Sequence, residues 1–248
     1  MKIALIGYGK MGKTIERLAL ERRLEIGCVI DVDNIDAFDS EVFMQCDAAI
    51  EFTTPATGFD NVARCLRRGV PVVSGTTGWQ ARLPEAMDLC RELDGSLIWA
   101  SNFSVGVNIF MAVNRQLARI MNAFPQYTPS MTETHHIHKL DHPSGTAVTL
   151  AEQIIDGTGR ISSWTEPEEG KTVEPGVLPI DHVREGEVPG IHTIRWDSPS
   201  DIISITHSAK NRDGFALGAI LAAEWLVNHP GIHTIQEMLS DISGYDFN

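Results

Sequence analysis

Lys2-Ile3-Ala4-Leu5-Ile6-Gly7-Tyr8-Gly9-Lys10-Met11-Gly12 decides the fold. A short, mostly apolar run stops at a glycine, which predicts a buried strand over Lys2–Ile6. The pattern G-x-G-x-x-G follows. A helix from about Met11 to Arg22 then places Ile15, Leu18 and Ala19 on one face. In such a strand–helix turn Gly7 permits the tight bend, Gly9 lets a pyrophosphate approach the backbone, and Gly12 lets helix and strand pack closely. Asp31 ends the next strand, Glu25–Ile30, 19 residues after Gly12. A carboxylate there bonds the ribose hydroxyls of a dinucleotide. Gly7, Gly9, Lys10, Met11, Gly12 and Asp31 are therefore candidate cofactor residues. Asp31 is followed by Val32 rather than a basic residue, which favours NADH, because a carboxylate repels a 2′-phosphate. Lys10 and Lys13 keep NADPH within reach.

Outward from this turn, strands are expected at 47–52, 70–74 and 96–100, with helices at about 57–68 and 80–92. Strand and helix alternating with short connections imply a parallel sheet with right-handed crossovers. Glu51-Phe52-Thr53-Thr54-Pro55 and Ser74-Gly75-Thr76-Thr77-Gly78 fall at the ends of two of these strands, where such sheets bind ligands. Phe52, Thr53, Gly75, Thr76 and Thr77 are accordingly candidates for the nicotinamide-ribose path.

The pattern changes after Phe103. A long helix is expected over Val105–Met121, a strand over 127–138 and a helix over 144–156. A Gly-, Glu-, Ser- and Pro-rich surface loop is expected over 158–176, then strands at 178–184, 190–196 and 201–207. Helices close the chain at 214–227 and 232–240. The expected fold class is α/β: a Rossmann-type parallel-sheet domain over 1–103, with 212–248 packing back on it, and a second α+β domain with an open mixed sheet over 104–211.

Composition narrows the function. The chain has 248 residues, 43% hydrophobic and 21% charged, with a net charge of −13. That balance argues against a nucleic-acid partner, and no apolar run approaches the ~20 residues of a membrane span. Lys2–Ile6 is a first strand rather than a signal peptide. Cys28, Cys46, Cys65 and Cys90 form no C-x-x-C, so reduced, mostly buried thiols in a cytoplasmic protein are expected.

Against this acidic background, His135-His136-Ile137-His138-Lys139 and Asp141-His142 concentrate four imidazoles and an ammonium within eight residues. Imidazoles exchange protons near neutral pH, and an ammonium holds an anion. Ser144-Gly145-Thr146 follows at a helix start, where backbone N–H groups and hydroxyls can receive a carboxylate. His136, Ser144, Gly145 and Thr146 are candidate substrate-binding residues. In a strand continuing past His135, His135 and Ile137 would face one way and His136 and His138 the other. His138 and His142 are expected bystanders. No nearby Cys or H-E-x-x-H completes a zinc site, so no metal is expected.

Taken together, these motifs resemble the 4-hydroxy-tetrahydrodipicolinate reductase (dihydrodipicolinate reductase) family. Further resembling stretches are Asn102-Phe103-Ser104-Val105-Gly106-Val107-Asn108, Gly190-Ile191-His192-Thr193 and Arg212-Asp213-Gly214-Phe215-Ala216-Leu217-Gly218-Ala219. Three features depart from the commoner family form: a glycine motif one residue shorter, Ser101 in place of proline, and Val32 in place of a basic residue. The resemblance implies NADH- or NADPH-dependent reduction of a cyclic imine-type dicarboxylate in the diaminopimelate route to lysine. His135 would be the general acid and Lys139 its assistant. Ser101, Asn102, Phe103 and Arg212 would lie near the cofactor, and the second domain would build a homotetramer. The rival readings are a reductase of another amino or imino dicarboxylate, resembling aspartate dehydrogenase, and a dinucleotide sensor without turnover.

Overall fold

The computed structural model describes residues 1–168, 170 and 172–247. In chain order the elements are β1 (Lys2–Ile6), α1 (Lys10–Glu21), β2 (Glu25–Ile30), α2 (Glu41–Met44), β3 (Ala48–Glu51), α3 (Gly58–Arg67), β4 (Val72–Ser74), α4 (Leu83–Glu92) and β5 (Leu97–Trp99). Next come α5 (Val105–Met121), β6 (Thr128–His135), α6 (Gly145–Gly157), β7 (Ser163–Thr165), β8 (Val177–Arg184), β9 (Ile191–Asp197) and β10 (Ile202–Ser208). The chain returns with α7 (Asp213–Leu226), β11 (Ile232–His233) and α8 (Ile235–Ser243). It divides into two compact units, Met1–Val105 with Arg212–Asn248, and Gly106–Asn211.

The first unit is built on a parallel sheet of order β11-β5-β4-β3-β1-β2. Its central strands read Ile-Ala-Leu-Ile and Ala-Ala-Ile because both faces are covered, so the alternation of a one-sided sheet is absent. Strand order reverses direction at β1, between β2 and β3, which is where open sheets of this kind leave a crevice at their carboxyl ends. Helix α1 buries Gly12, Ile15 and Ala19 at helical spacing. Small residues let α7 approach closely: a Cβ on Gly218 would lie 1.7 Å from the Phe103 carbonyl oxygen.

In the second unit the sheet order is β10-β9-β6-β8-β7. β6 pairs parallel with β8 and antiparallel with β9, so the sheet is mixed. Helices α5 and α6 supply Phe110, Ala118, Leu150, Ala151 and Ile154 to a core shared with Met131, Ile180, Ile194 and Trp196.

Three expectations are corrected, and one further segment gains elements. The strand expected to 138 stops at His135, because the chain turns there and the Lys139 amide donates to the His136 carbonyl. The loop expected over 158–176 contains β7, which exists only by pairing with β8; residues 169 and 171 of that loop lie outside the described residues. The final helix begins at Ile235, not 232, because Ile232–His233 pairs with β5 and Thr234 caps the helix in a capping box with Glu237. The segment after β2, left without an element, forms a 3-10 turn at Ile35–Asp39 and the short α2 capped by Ser40.

Candidate active site

The first unit presents a cleft of about 320 Å³ at the β1 turn, lined by Gly7, Gly9, Asp31, Val32, Phe52, Thr53 and neighbours. Gly7 has φ +89°, and a Cβ there would lie 2.1 Å from the Phe52 carbonyl oxygen. A Cβ on Gly12 would lie 2.2 Å from the Gly7 oxygen. Both positions are closed to side chains by backbone. Gly9 differs: nothing lies within 4 Å of the position its Cβ would take. That open backbone at the start of α1 fits a diphosphate, which helix N–H groups favour. Asp31 accepts from the Tyr8 amide at 3.2 Å and stays exposed beside the turn, as a ribose partner must. Lys10 is exposed and Met11 half-buried on the first turn of α1.

Behind the cleft lies Glu51, a fully buried carboxylate that sequence reading assigned no role. Ser74 donates to it at 2.6 Å, Thr76 at 2.7 Å, and Thr53 through a short bond. The Thr53 amide in turn donates to the Thr76 hydroxyl at 2.7 Å. One acid therefore locks the loops after β3 and β4 together. Burial pushes its pKa up, opposed by the bonds from Ser74, Thr53 and Thr76. Thr76 is thus a loop anchor rather than a free ligand group, while Thr77 is exposed. Gly75 exists because a Cβ would meet the Phe52 ring at 2.2 Å. Phe103 is buried and packs edge-on against Phe52 at 6.2 Å, so its ring is core rather than a cofactor contact. Ser101 is exposed, Asn102 accepts from the Ser104 amide, and Arg212 stands at the N-terminus of α7, exposed.

In the second unit the period of two along β6 places Met131, Glu133 and His135 on one buried face. Glu133 is fully buried, with Oε2 3.5 Å from His135 Nδ1 and 3.8 Å from His192 Nε2. The His135 and His192 rings meet edge-on at 5.1 Å. Glu133 also accepts from the Ser144 amide at 3.0 Å and from Arg184 at 3.2 Å. Arg184 donates onward to the Lys139 and Asp141 carbonyls at 3.2 and 2.8 Å, fastening the turn that carries Lys139. Glu133 and Arg184 escaped sequence reading, and His192 stood only within a resembling stretch, with no role given. The alternation along β6 already paired Glu133 with His135. Arg184 becomes visible only through its register opposite His135.

These contacts set the electrostatics. Burial pushes the His135 pKa below that of a free imidazole; Glu133 opposes the shift, and Lys139 and Arg184 add to it. Burial takes His192 further, to about 4. For Glu133, burial favours the neutral acid, but the bonds from Ser144, the positive charge of His135 when that ring is protonated, and the bond from Arg184 outweigh it and lower its pKa. Lys139 is bound bidentately by Asp141 at 2.9 and 2.8 Å, which lowers the Asp141 pKa.

Ser144 is built into the base of the site. Its hydroxyl caps α6 through the Ala147 amide and lies 3.2 Å from His192, and its own amide goes to Glu133. It ties the start of α6 to Glu133 and His192. Gly145 is exposed and Thr146 half-exposed, and their amides at the start of α6 have no acceptor among the described residues. The half-buried His136 likewise has a ring nitrogen, Nδ1, without a partner there. His138 pairs with Glu187 and His142 with Glu166.

Residues 1–103 match the family described as dihydrodipicolinate reductase, N-terminus, and residues 106–239 the family described as dihydrodipicolinate reductase, C-terminus. A 4-hydroxy-tetrahydrodipicolinate reductase from Christiangramia forsetii is 43% identical over 244 residues, 98% of this chain and 99% of its own. One from Nitratidesulfovibrio vulgaris is 34% identical, with 93% and 96% covered. The solved dipicolinate-bound dihydrodipicolinate reductase from Paenisporosarcina shares the fold, with a TM-score of 0.73 at 24% identity over 94% of this chain and 97% of that one. With both halves matched and relatives this similar along their whole length, the chain belongs to the dihydrodipicolinate reductase family.

Proposed function

We propose that this chain reduces 4-hydroxy-tetrahydrodipicolinate to tetrahydrodipicolinate, taking the hydride from NADH and, less readily, from NADPH. The observation that carries the reading is the buried Glu133–His135 pair next to Lys139 and the open amides of Gly145 and Thr146. When bound, the dinucleotide supplies the hydride. Gly7, Gly9 and Gly12 would hold its diphosphate on the backbone of α1, Asp31 its ribose, and the loops locked by Glu51 its nicotinamide end.

The protein's own groups handle the anion and the proton. The Gly145 and Thr146 amides receive one ring carboxylate at a helix N-terminus, and His136 offers a further ring nitrogen. Lys139, now held by Asp141, exchanges that partner for the substrate. His135 is neutral before substrate arrives, because burial and the neighbouring cations hold its pKa down. A dianionic ring placed beside it adds negative charge, which favours the protonated imidazole. The acid is therefore loaded by substrate binding, and Glu133 beneath it stabilises that charge. His135 then delivers the proton as the ring gains its hydride, a contribution of about 10²–10⁴-fold for a positioned acid.

The protein acts in the cytoplasm as a homotetramer. Four unpaired cysteines support a reducing compartment. Self-association is supported by the edge strand β10, which exposes Ile202 and Ile203. Among the described residues no helix is long and apolar enough to cross a membrane. The test is NADH oxidation dependent on the product freshly condensed from pyruvate and aspartate semialdehyde. Turnover with that ring and none with oxaloacetate plus ammonia supports the proposal. Turnover only with the open-chain substrate, or with neither, rejects it.

A further inference from the structure

We propose that His142, Glu166 and His182 form a binding site for a divalent transition metal of the zinc class, separate from the catalytic pocket. The three residues come from different segments: His142 from the turn between β6 and α6, Glu166 from directly after β7, and His182 from within β8. Local spacing in the sequence hides the set, because Glu166 lies 24 residues beyond His142.

The geometry converges on one point. Nδ1 of His142 and Nδ1 of His182 each lie 2.8 Å from the same Oε1 of Glu166. The two rings stack at 4.2 Å with 16° between their planes. All three donor atoms lie within 4.8 Å of one another. Two imidazole nitrogens and a carboxylate oxygen suit zinc, with bonds of about 2.0–2.2 Å. Donors around a tetrahedral ion are then about 3.3 Å apart. Loading the site therefore moves the carboxylate back by about half an ångström and swings the rings out of their stack. Side-chain exposures of 47%, 30% and 35% leave room for that motion and a path for the ion. The scaffold beneath is ordered sheet, since β8 pairs with β7 over Val177–Pro179 and with β6 over Ile180–Arg184, where His182 stands opposite Glu133. Magnesium and calcium, which want oxygen donors, do not fit this set.

A second cluster, Glu133, His135 and His192, also brings three donors together. It is buried, and its carboxylate is already committed to the Ser144 amide and Arg184, which makes it the poorer site. The outer site has a consequence of its own. His142 follows Asp141, the carboxylate that holds Lys139. An ion joining His142 to β8 would restrain that turn and slow the exchange of Lys139 from Asp141 to substrate.

The test uses the full chain without nucleotide or substrate, titrated with Zn²⁺ by calorimetry and with Co²⁺ by visible absorption. We expect one ion per chain and a tetrahedral Co²⁺ spectrum. His182→Ala and Glu166→Gln should each weaken binding by at least ~10–100-fold, while His135→Ala leaves it unchanged. Added Mg²⁺ should not compete. In the reductase assay Zn²⁺ should lower turnover of the wild type and spare His182→Ala, whose metal-free turnover also reports that it folds. Affinity unchanged in His182→Ala and Glu166→Gln overturns the proposal, as does affinity lost in His135→Ala instead, or the absence of stoichiometric binding.

Discussion

Glu133 tunes the charge state of His135. The carboxylate lies 3.5 Å from the ring and is the neighbour that favours the imidazolium. Glu133→Gln should therefore lower the pKa of His135 and move the alkaline limb of the kcat profile to lower pH; an unmoved limb would show that Glu133 does not act on the acid. Glu51 makes the parallel case in the first unit. Glu51→Ala leaves the Ser74, Thr53 and Thr76 hydroxyls without their acceptor, at about 1–3 kcal/mol for each buried group left unpaired. We expect the KM for NADH to rise about tenfold or more, with Glu51→Gln intermediate, and a steady-state titration of NADH checks it. His192 links the site to stability. Its folded pKa of about 4 lies below the ~6.5 of an exposed imidazole, so the unfolded chain binds the extra proton between those values. The stabilisation is present above pH ~6.5 and is lost as pH falls toward 4, by at most about 1.4 kcal/mol per pH unit. Urea denaturation across that range should show this slope in the wild type and a flatter one in His192→Gln. At this scale the imidazole cluster was legible, because such a cluster is rare in so acidic a chain. The sequence hid what restrains it: a capping serine and a buried acid look ordinary until the fold closes over them.

The glycines separate shape from binding at the scale of the elements. Gly218→Ala drives a Cβ to 1.7 Å from the Phe103 carbonyl and forces α7 off its seat. About 1–3 kcal/mol of destabilisation is expected from such overpacking. Gly9→Ala meets nothing within 4 Å in the protein alone. It should unfold at nearly the wild-type urea midpoint yet bind NADH markedly less well, because its methyl group occupies the diphosphate's place. Equal losses of stability in the two variants would contradict this division. The same scale shows where sequence patterns succeed and fail. β1 and β2 as apolar runs and α1 and α5 by their helical spacing carry their own local signals and were legible nearly to the residue. β7 and β11 are three and two residues long and exist only through pairing with β8 and β5. No local pattern announces such pairings. The early end of β6 had the same cause: the alternation of residues runs on past His135, but the turn that presents Lys139 interrupts the strand.

For the whole molecule, the glycine turn and the imidazole cluster sit in different compact units of one chain. This division was legible because the strand–helix alternation stops after Phe103. Cofactor choice belongs to the first unit. Asp31 and the exposed Val32 offer a 2′-phosphate a negative charge and no cation, so kcat/KM should favour NADH, and Asp31→Ser should narrow the gap. A preference for NADPH of a hundredfold or more would refute that role of Asp31. The proposed proton donor belongs to the second unit, and there the account is tested most directly. Steady-state kcat should be measured with the freshly condensed ring substrate for the wild type, His135→Ala and Lys139→Ala, with NADH affinity measured alongside by fluorescence. We predict that kcat falls by about 10²–10⁴-fold in both variants while NADH binds as before; full kcat in Lys139→Ala or His135→Ala would contradict the assignment.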